Sequence, residues 1–298
     1  NKEKIQIAAS ISKSDLSSDL VNEYPELQGV MGKYFALAQG FDEDVSNAVS
    51  DHYLPIGITS AIPKKPISYS ISIVDKLDSL IGFFLINEKP TSSKDPFALR
   101  RAAIGLLRII IENNLTIRLQ DLINHSIKLF EEQGVEIKNT MTEKEVLNFF
   151  KERMKNILKE KKIKTDIIEA SISSHNGDNY LDLYKKNLLM NKFIAREEGR
   201  NIISSYKRSF NIIEKANKDI TGRPDAVLFR KEEEKVLFEK INEIRKAFTV
   251  KEDKKNYENL IYQLSEAKTL TDNFFDKVKV NDENNDIKNN RLELLKML

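Results

Sequence analysis

The sequence predicts an all-α protein of two domains, on three observations. Nearly every long segment repeats its apolar residues at helical spacing, as a helix with one buried face must. No strand-like alternation lasts more than a few residues: the isoleucines of Ser68 to Val74 alternate, but they run straight into a helical pattern and are read as helix. Finally, 298 residues suffice for two domains with real cores, and the turn-forming residues fall into a few short clusters.

In chain order, the pattern predicts helices over about 14–38, 43–52, 66–86, 96–113, 119–133, 143–161, 165–173, 179–198, 199–219, 231–248, 252–268, 269–278 and 284–297. The first carries a stripe of Tyr24, Leu27, Val30, Met31, Tyr34 and Phe35, expected to be core. Gly29 inside it would cost about 1 kcal/mol relative to alanine, which suggests a close helix approach. Asp42 precedes Glu43 and Asp44 in a first turn, where carboxylates favour the helix dipole. Asp95 and Pro96 suit the start of the 96–113 helix. Its stripe runs through Phe97, Leu99, Ala102, Ala103, Leu106, Leu107 and Ile110, with Arg100, Arg101 and Arg108 off the stripe. Thr142 and Glu145 have capping-box spacing. Breaks fall at His52 to Pro66, Asn87 to Asp95, Gln133 to Thr142 and Thr221 to Asp225, the last with Gly222 and Pro224. The domains are expected at 1–140 and 141–298, the second being a charged, almost uninterrupted helical array.

Composition narrows the chemistry. There is no cysteine, so disulfides, thiolate metal sites and cysteine nucleophiles are excluded. A net charge of +2 means that nucleic acid would be met by local patches. No apolar run approaches the roughly 20 residues of a membrane span. A cytoplasmic location is expected. The chain opens on Asn1 without a signal peptide or initiator methionine, so it is expected to start part-way through a longer protein. Walker, G-x-S-x-G, H-E-x-x-H and G-x-G-x-x-G motifs are all missing.

Two basic clusters stand out. Lys94, Arg100 and Arg101 flank a helix start, where free N–H groups and cations can take a phosphate, although Asp95 competes for the cap. Lys151 to Lys164 holds seven Lys/Arg against two Glu, and Lys159, Lys161 and Lys162 are candidates for nucleic-acid phosphates. The bland alternative for both is a solvated helix face.

The exact wording of one passage adds a resemblance. SKDPFALRRAA, from Ser93, resembles the signature of the beta subunit of bacterial glycyl-tRNA synthetase, the form built from separate alpha and beta chains. NEYPELQGVMGKYFAL (Asn22 to Leu37), SIVDKLDSLIGFF (Ser72 to Phe84) and FFDKVKVNDENNDIKNNRLELL (Phe274 to Leu295) agree in order and spacing. The resemblance implies the C-terminal half of that subunit: an HD-domain-like helical domain, then a DALR-type anticodon-binding bundle with its core at about 188–298.

Catalytic HD domains bind metal through an adjacent His-Asp pair, another His and a separate Asp. No His-Asp pair occurs here, and the histidines are His52, His125 and His175. His52, Asp75 and Asp78 are the residues left for any residual metal site. A metal-dependent nucleotide phosphohydrolase is therefore the minor enzyme alternative, and a helical scaffold that binds no RNA is the other. In the bundle, SYKRSFNII (Ser205 to Ile213) matches the DALR type, with Tyr206, Phe210 and Ile213 expected on one apolar face. Lys207, Arg208, Asn211 and Lys215 form the leading RNA-facing set, since unstacked loop bases need stacking planes and edge hydrogen bonds. Asn290 and Arg291 are a second pair, whereas Phe274, Phe275 and Val278 read as core. The resemblance further implies glycine tRNA and the alpha subunit as partners, within an alpha2beta2 tetramer. ATP, Mg²⁺ and glycine would be used by the holoenzyme and not by this chain, which is expected to be non-catalytic alone.

Overall fold

The computed structural model describes residues 1–57, 59–91, 93–174, 178–216, 220–248 and 257–298, and every regular element in them is a helix. They divide into two units, Asn1–Tyr184 and Lys185–Leu298.

The first unit is organised by α5 (Pro66–Leu85), whose sequence PISYSISIVDKLDSLIGFFL is apolar over most of its circumference, with Val74 and Asp78 left exposed. Such a helix is stable only when surrounded. Around it pack α1 (Lys2–Ile11), α4 (Glu43–Asp51), α6 (Leu99–Glu112), α7 (Leu119–Glu132) and α8 (Thr142–Glu160). α5 buries Ile67, Ile71, Ile73, Leu77, Leu80, Ile81, Phe84 and Leu85, together with the lysine at position 76. The alternating isoleucines thus lie on a helix, as read from the sequence.

Helix α1 is not anticipated by the sequence pattern; Ala8 seats it against Val45, Ala48, Ile67 and Ile71. The long helix expected over 14–38 is broken. It becomes a 3-10 turn at Ser14–Ser17, α2 (Asp19–Glu23), a second 3-10 turn at Pro25–Leu27, and α3 (Val30–Ala38). Gly29 does mark a close approach, but from a turn: its φ is 78°, and a Cβ there would meet the Tyr53 ring at 2.7 Å. Buried Asp15 fixes the break by accepting hydrogen bonds from the N–H groups of Gly29 (2.6 Å) and Gly32 (3.2 Å). The expected stripe is also inverted. Small Gly32 and Ala36 face inward, while Tyr24, Val30 and Tyr34 are exposed, because only small residues fit so close to α4.

Helix α6 starts at Leu99, three residues later than expected. Asp95 still caps it, its carboxylate accepting from the N–H groups of Leu99 (2.9 Å) and Arg100 (3.0 Å). Arg108 is not a surface charge: its guanidinium donates to the carbonyls of Gly57 (3.1 Å) and Ser60 (2.9 Å), fastening the loop before α5. The 142/145 capping box does not form either. The Thr142 hydroxyl donates to the Asn139 carbonyl, and Glu145 takes Lys89 and the Asn139 amide instead.

The first unit extends to Tyr184, beyond the boundary expected at 140. α8 buries Val146, Phe150, Met154 and Leu158 and packs on α5, α6 and α7, so it belongs to that core despite its charged outer face. α9 (Thr165–Ser173) packs on α8, and the Tyr180 hydroxyl donates to the Leu147 carbonyl.

α10 (Tyr180–Ala195) runs across the division. The second unit continues with α11 (Glu197–Lys215), α12 (Glu232–Phe248), α13 (Tyr257–Lys277) and α14 (Asn285–Lys296). One helix, α13, stands where two were expected over 252–268 and 269–278; the expected stretch before Tyr257, the 217–219 end of the 199–219 helix and His175 lie outside the described residues. Leu237, Ile241, Phe274, Val278, Leu292 and Leu295 form the core, in line with the expectation for Phe274 and Val278.

Asn290 and Arg291 belong to this core and not to a surface. The Asn290 amide grips the backbone of Asp225 through both its atoms (2.6 and 3.0 Å), fixing the Thr221–Asp225 turn. The Arg291 guanidinium donates to Glu234 (2.7 Å), Asp282 (2.7 Å) and the Lys279 carbonyl (2.9 Å). A guanidinium buried with its carboxylate is spent on folding and cannot also meet RNA.

Two stability measurements follow. Removing one partner of a buried pair strands the other charge, so Arg291→Ala should cost about 3–5 kcal/mol in urea denaturation. Burial also pulls the Lys76 ammonium down to about 8 from its ordinary 10.5. Between those two pH values the unfolded chain holds the proton more tightly, so folding stability gains as pH rises through this window. The advantage of Lys76→Met over the native chain should therefore shrink by about 3 kcal/mol between pH 7.5 and 10.5. An advantage that stays constant across that range would contradict the burial of a charged Lys76.

Candidate nucleic-acid interface

α11 carries the residues best arranged for RNA. Its inward side is made by Ser209, Ile212 and Ile213, and the Ser205 hydroxyl donates to Asp272 on α13 (3.1 Å). Small Ser205 and Ser209, four residues apart, let α13 approach closely. The larger side chains are thereby turned outward. Tyr206 and Phe210 are 55% and 51% exposed, with ring centroids 6.4 Å apart and planes 24° from parallel. Of the three residues expected on one apolar face, Ile213 packs on the core while Tyr206 and Phe210 are exposed. Lys207, Asn211 and Lys215 are exposed beside them and make no side-chain hydrogen bond or ion pair among the described residues. Arg208 differs from that set: its guanidinium lies 4.2 Å from the centre of the Phe275 ring, a cation–π contact that ties it to α13. The spacing of Ser205 and Ser209 was the available signal for an outward-facing Tyr206, and apolar periodicity masked it.

In the first unit the Lys94, Arg100 and Arg101 cluster is only partly available. Arg100 donates to the Thr91 carbonyl and holds the loop before α6. Lys94 and Arg101 are exposed and form no ion pair among the described residues. The α6 N-terminus is occupied by Asp95. Phe97, placed on the core stripe by sequence, is 45% exposed and stacks on Phe83 at 3.8 Å.

The Lys151 to Lys164 stretch separates into two parts. Lys155 is neutralised by Glu152 (3.0 Å) and Glu169 (3.1 Å), and Arg153 lies over the Phe149 ring at 4.2 Å. Lys159, Lys161 and Lys162, at the C-terminus of α8, are exposed and without ion pairs among the described residues. They sit where cations complement the helix dipole.

The residues considered for metal are engaged with the protein. The buried His52 ring contacts the Val49 carbonyl through Nδ1 (2.6 Å) and lies tilted against the Tyr53 ring, and burial holds it below the usual histidine range. Asp75 pairs with Lys13 at 2.5 Å, and burial raises Asp78. Among the described residues, no group of three or more His, Cys, Asp or Glu is placed to hold a metal ion.

Residues 1–173 match the family described as glycyl-tRNA synthetase beta subunit, and residues 202–298 match the DALR anticodon binding domain. The chain is similar to the glycine–tRNA ligase beta subunit of Rickettsia africae (strain ESF-5), with 39% identity over 99% of this chain and 42% of that protein. It is 34% identical to the subunit of the same name from Ruegeria sp. (strain TM1040), over 98% of this chain and 41% of the relative. The chain thus spans about two-fifths of the length of these relatives. With more than half its residues matched to one family along a continuous stretch, the chain belongs to the glycyl-tRNA synthetase beta subunit family.

Proposed function

We propose that this chain is the tRNA-recognition part of a glycine–tRNA ligase, binding the glycine tRNA and presenting it to an active site on the alpha subunit. One observation carries the reading: a stacked, solvent-facing Tyr206–Phe210 pair flanked by Lys207 and Asn211, within the stretch matched to an anticodon-binding domain. Unpaired anticodon bases would stack on the two rings. Asn211 would offer a donor and an acceptor to base edges, while Lys207 and Lys215 would meet the backbone. Lys159, Lys161 and Lys162 would add phosphate contacts from the first unit, which we read as HD-like.

In this reading the chain makes and breaks no covalent bond. Its contribution is positional: binding energy from the tRNA body places the acceptor end in the alpha-subunit site. ATP, Mg²⁺ and glycine would be handled there by a cytoplasmic alpha2beta2 enzyme. The lack of a phosphate-cradling glycine loop in this sequence agrees with that division of labour.

The test is fluorescence anisotropy with glycine tRNA and with a tRNA whose two codon-matching anticodon cytosines are replaced. The native chain should prefer the authentic anticodon. Tyr206→Ala and Phe210→Ala should each weaken binding by about 1–3 kcal/mol and erase the preference, with folding unchanged because both rings are half exposed. Equal binding of both tRNAs by the native chain would reduce the reading to backbone attraction. A triple change of Lys159, Lys161 and Lys162 to glutamine should lower the salt slope of binding by about 2–3, one counterion per phosphate contact, and leave anticodon preference intact. An unchanged slope would remove these lysines from the interface.

A further inference from the structure

A second site lies in the first unit, away from α11. A cavity of about 660 Å³, in the range of small-molecule sites, is lined by the turn at Pro25–Leu27, the loop at Tyr53–Ile56, the middle of α5 and the start of α6. Its polar groups are unusual in what they lack. The Lys76 ammonium is buried, yet its bonded partners are all neutral: the His52 carbonyl (3.0 Å), the Ser72 hydroxyl (2.9 Å) and, at 3.5 Å, the Tyr53 carbonyl. The Tyr53 hydroxyl is buried beside the Gln28 side chain, another wall residue. Arg101 faces the same space without an ion pair among the described residues. Of the two carboxylates on the wall, Asp75 is taken by Lys13, and Glu26 lies on the exposed turn.

The surrounding fold keeps this arrangement open. Gly105 of α6 leaves room for the Lys76 stem, since a Cβ there would come within 3.2 Å of Lys76 Cε and 3.1 Å of Pro55. Gly29, held by Asp15, does the same for the Tyr53 ring. Phe97, braced on one face by Phe83, contributes to the wall with half its ring surface open, near apolar Pro55, Ile56 and Ala102.

The Lys76 charge, its protons spent on neutral acceptors, and the unpaired Arg101 guanidinium call for an anion. An open aromatic ring beside an apolar wall calls for a planar group attached to it. We propose that this cavity binds a nucleotide, its phosphate on the Arg101 guanidinium beside the uncompensated Lys76 charge, and its base against the open side of Phe97. The nucleotide is either free or an unpaired nucleotide of a bound RNA. The recognition chemistry is the same for both.

Isothermal titration of the whole chain with AMP, adenosine and inorganic phosphate tests this. AMP should bind, with adenosine and phosphate each at least tenfold weaker. Arg101→Gln should reduce AMP affinity about tenfold or more, the scale of a lost charge-assisted bond, and Lys76→Met should weaken it through the lost charge. Exposed Arg101 keeps the test valid should Lys76→Met disturb the core. Phe97→Ala should weaken AMP and leave phosphate unchanged. AMP that does not bind, or that binds Arg101→Gln and Phe97→Ala as it binds the native chain, overturns the proposal. Glycine tRNA added to the AMP complex then identifies the source. Displacement of AMP by the tRNA assigns the site to an unpaired nucleotide of bound RNA; retention of AMP in its presence assigns it to a free nucleotide. The site is independent of the anticodon reading: Tyr206→Ala should leave AMP affinity unaltered whatever it does to tRNA binding.

Discussion

The first unit depends on one constraint: α5 is too apolar to be left uncovered, and along its middle a narrow strip, at Val74 and Asp78, is all that faces water. Its isoleucines, leucines and phenylalanines bury fully only when α1, α4, α6, α7 and α8 close around it. Burying such side chains is worth about 1.5–3 kcal/mol each, so this single helix dominates the stability of the unit. It also carries Lys76 inward, against the trend of a core. The ammonium survives there because the loop after α4 turns the carbonyls of His52 and Tyr53 toward it, and α6 supplies a glycine where its stem passes. The elements that enclose α5 therefore also shape the cavity beside it.

The second unit is tied by polar contacts of long sequence reach. Arg291 bridges α14 to the first turn of α12 through Glu234, whose other oxygen accepts from the N–H groups of Arg230 and Lys231. Asn290 fastens α14 to the turn at Asp225. These groups explain why the closing segment reads as polar and yet is core. Their burial leaves α11 as the element with unspent aromatic and basic groups. Stability and the proposed RNA contacts thus fall on different residues of one bundle.

Much of this was legible in the chain. The helical class, the identity of α5 as helix despite alternating isoleucines, the Asp42 cap of α4 and the family resemblance followed from spacing and wording. The failures share a cause. Tyr24, Val30 and Tyr34 were assigned inward because large apolar residues usually are, but Gly32 and Ala36 admit α4 more closely and win the inward side. On α11 the small residues Ser205 and Ser209 likewise take the inward side and leave Tyr206 and Phe210 exposed. Asn290 and Arg291 looked like surface polar residues because their partners lie 65 and 57 residues away.

What the sequence by itself determined is the local part: which segments become helices, where several caps lie, and which family the chain resembles. Periodicity, capping and wording are properties of neighbouring residues, and a helix forms its hydrogen bonds within four positions. Only the tertiary structure decided which side of each helix faces water, and hence which charges are free. That choice depends on how closely two helices can approach and on whether a distant carboxylate reaches a given guanidinium. Arg208 on Phe275, Arg291 on Glu234 and an unpaired Arg101 are alike in sequence and differ only in what the fold brings beside them.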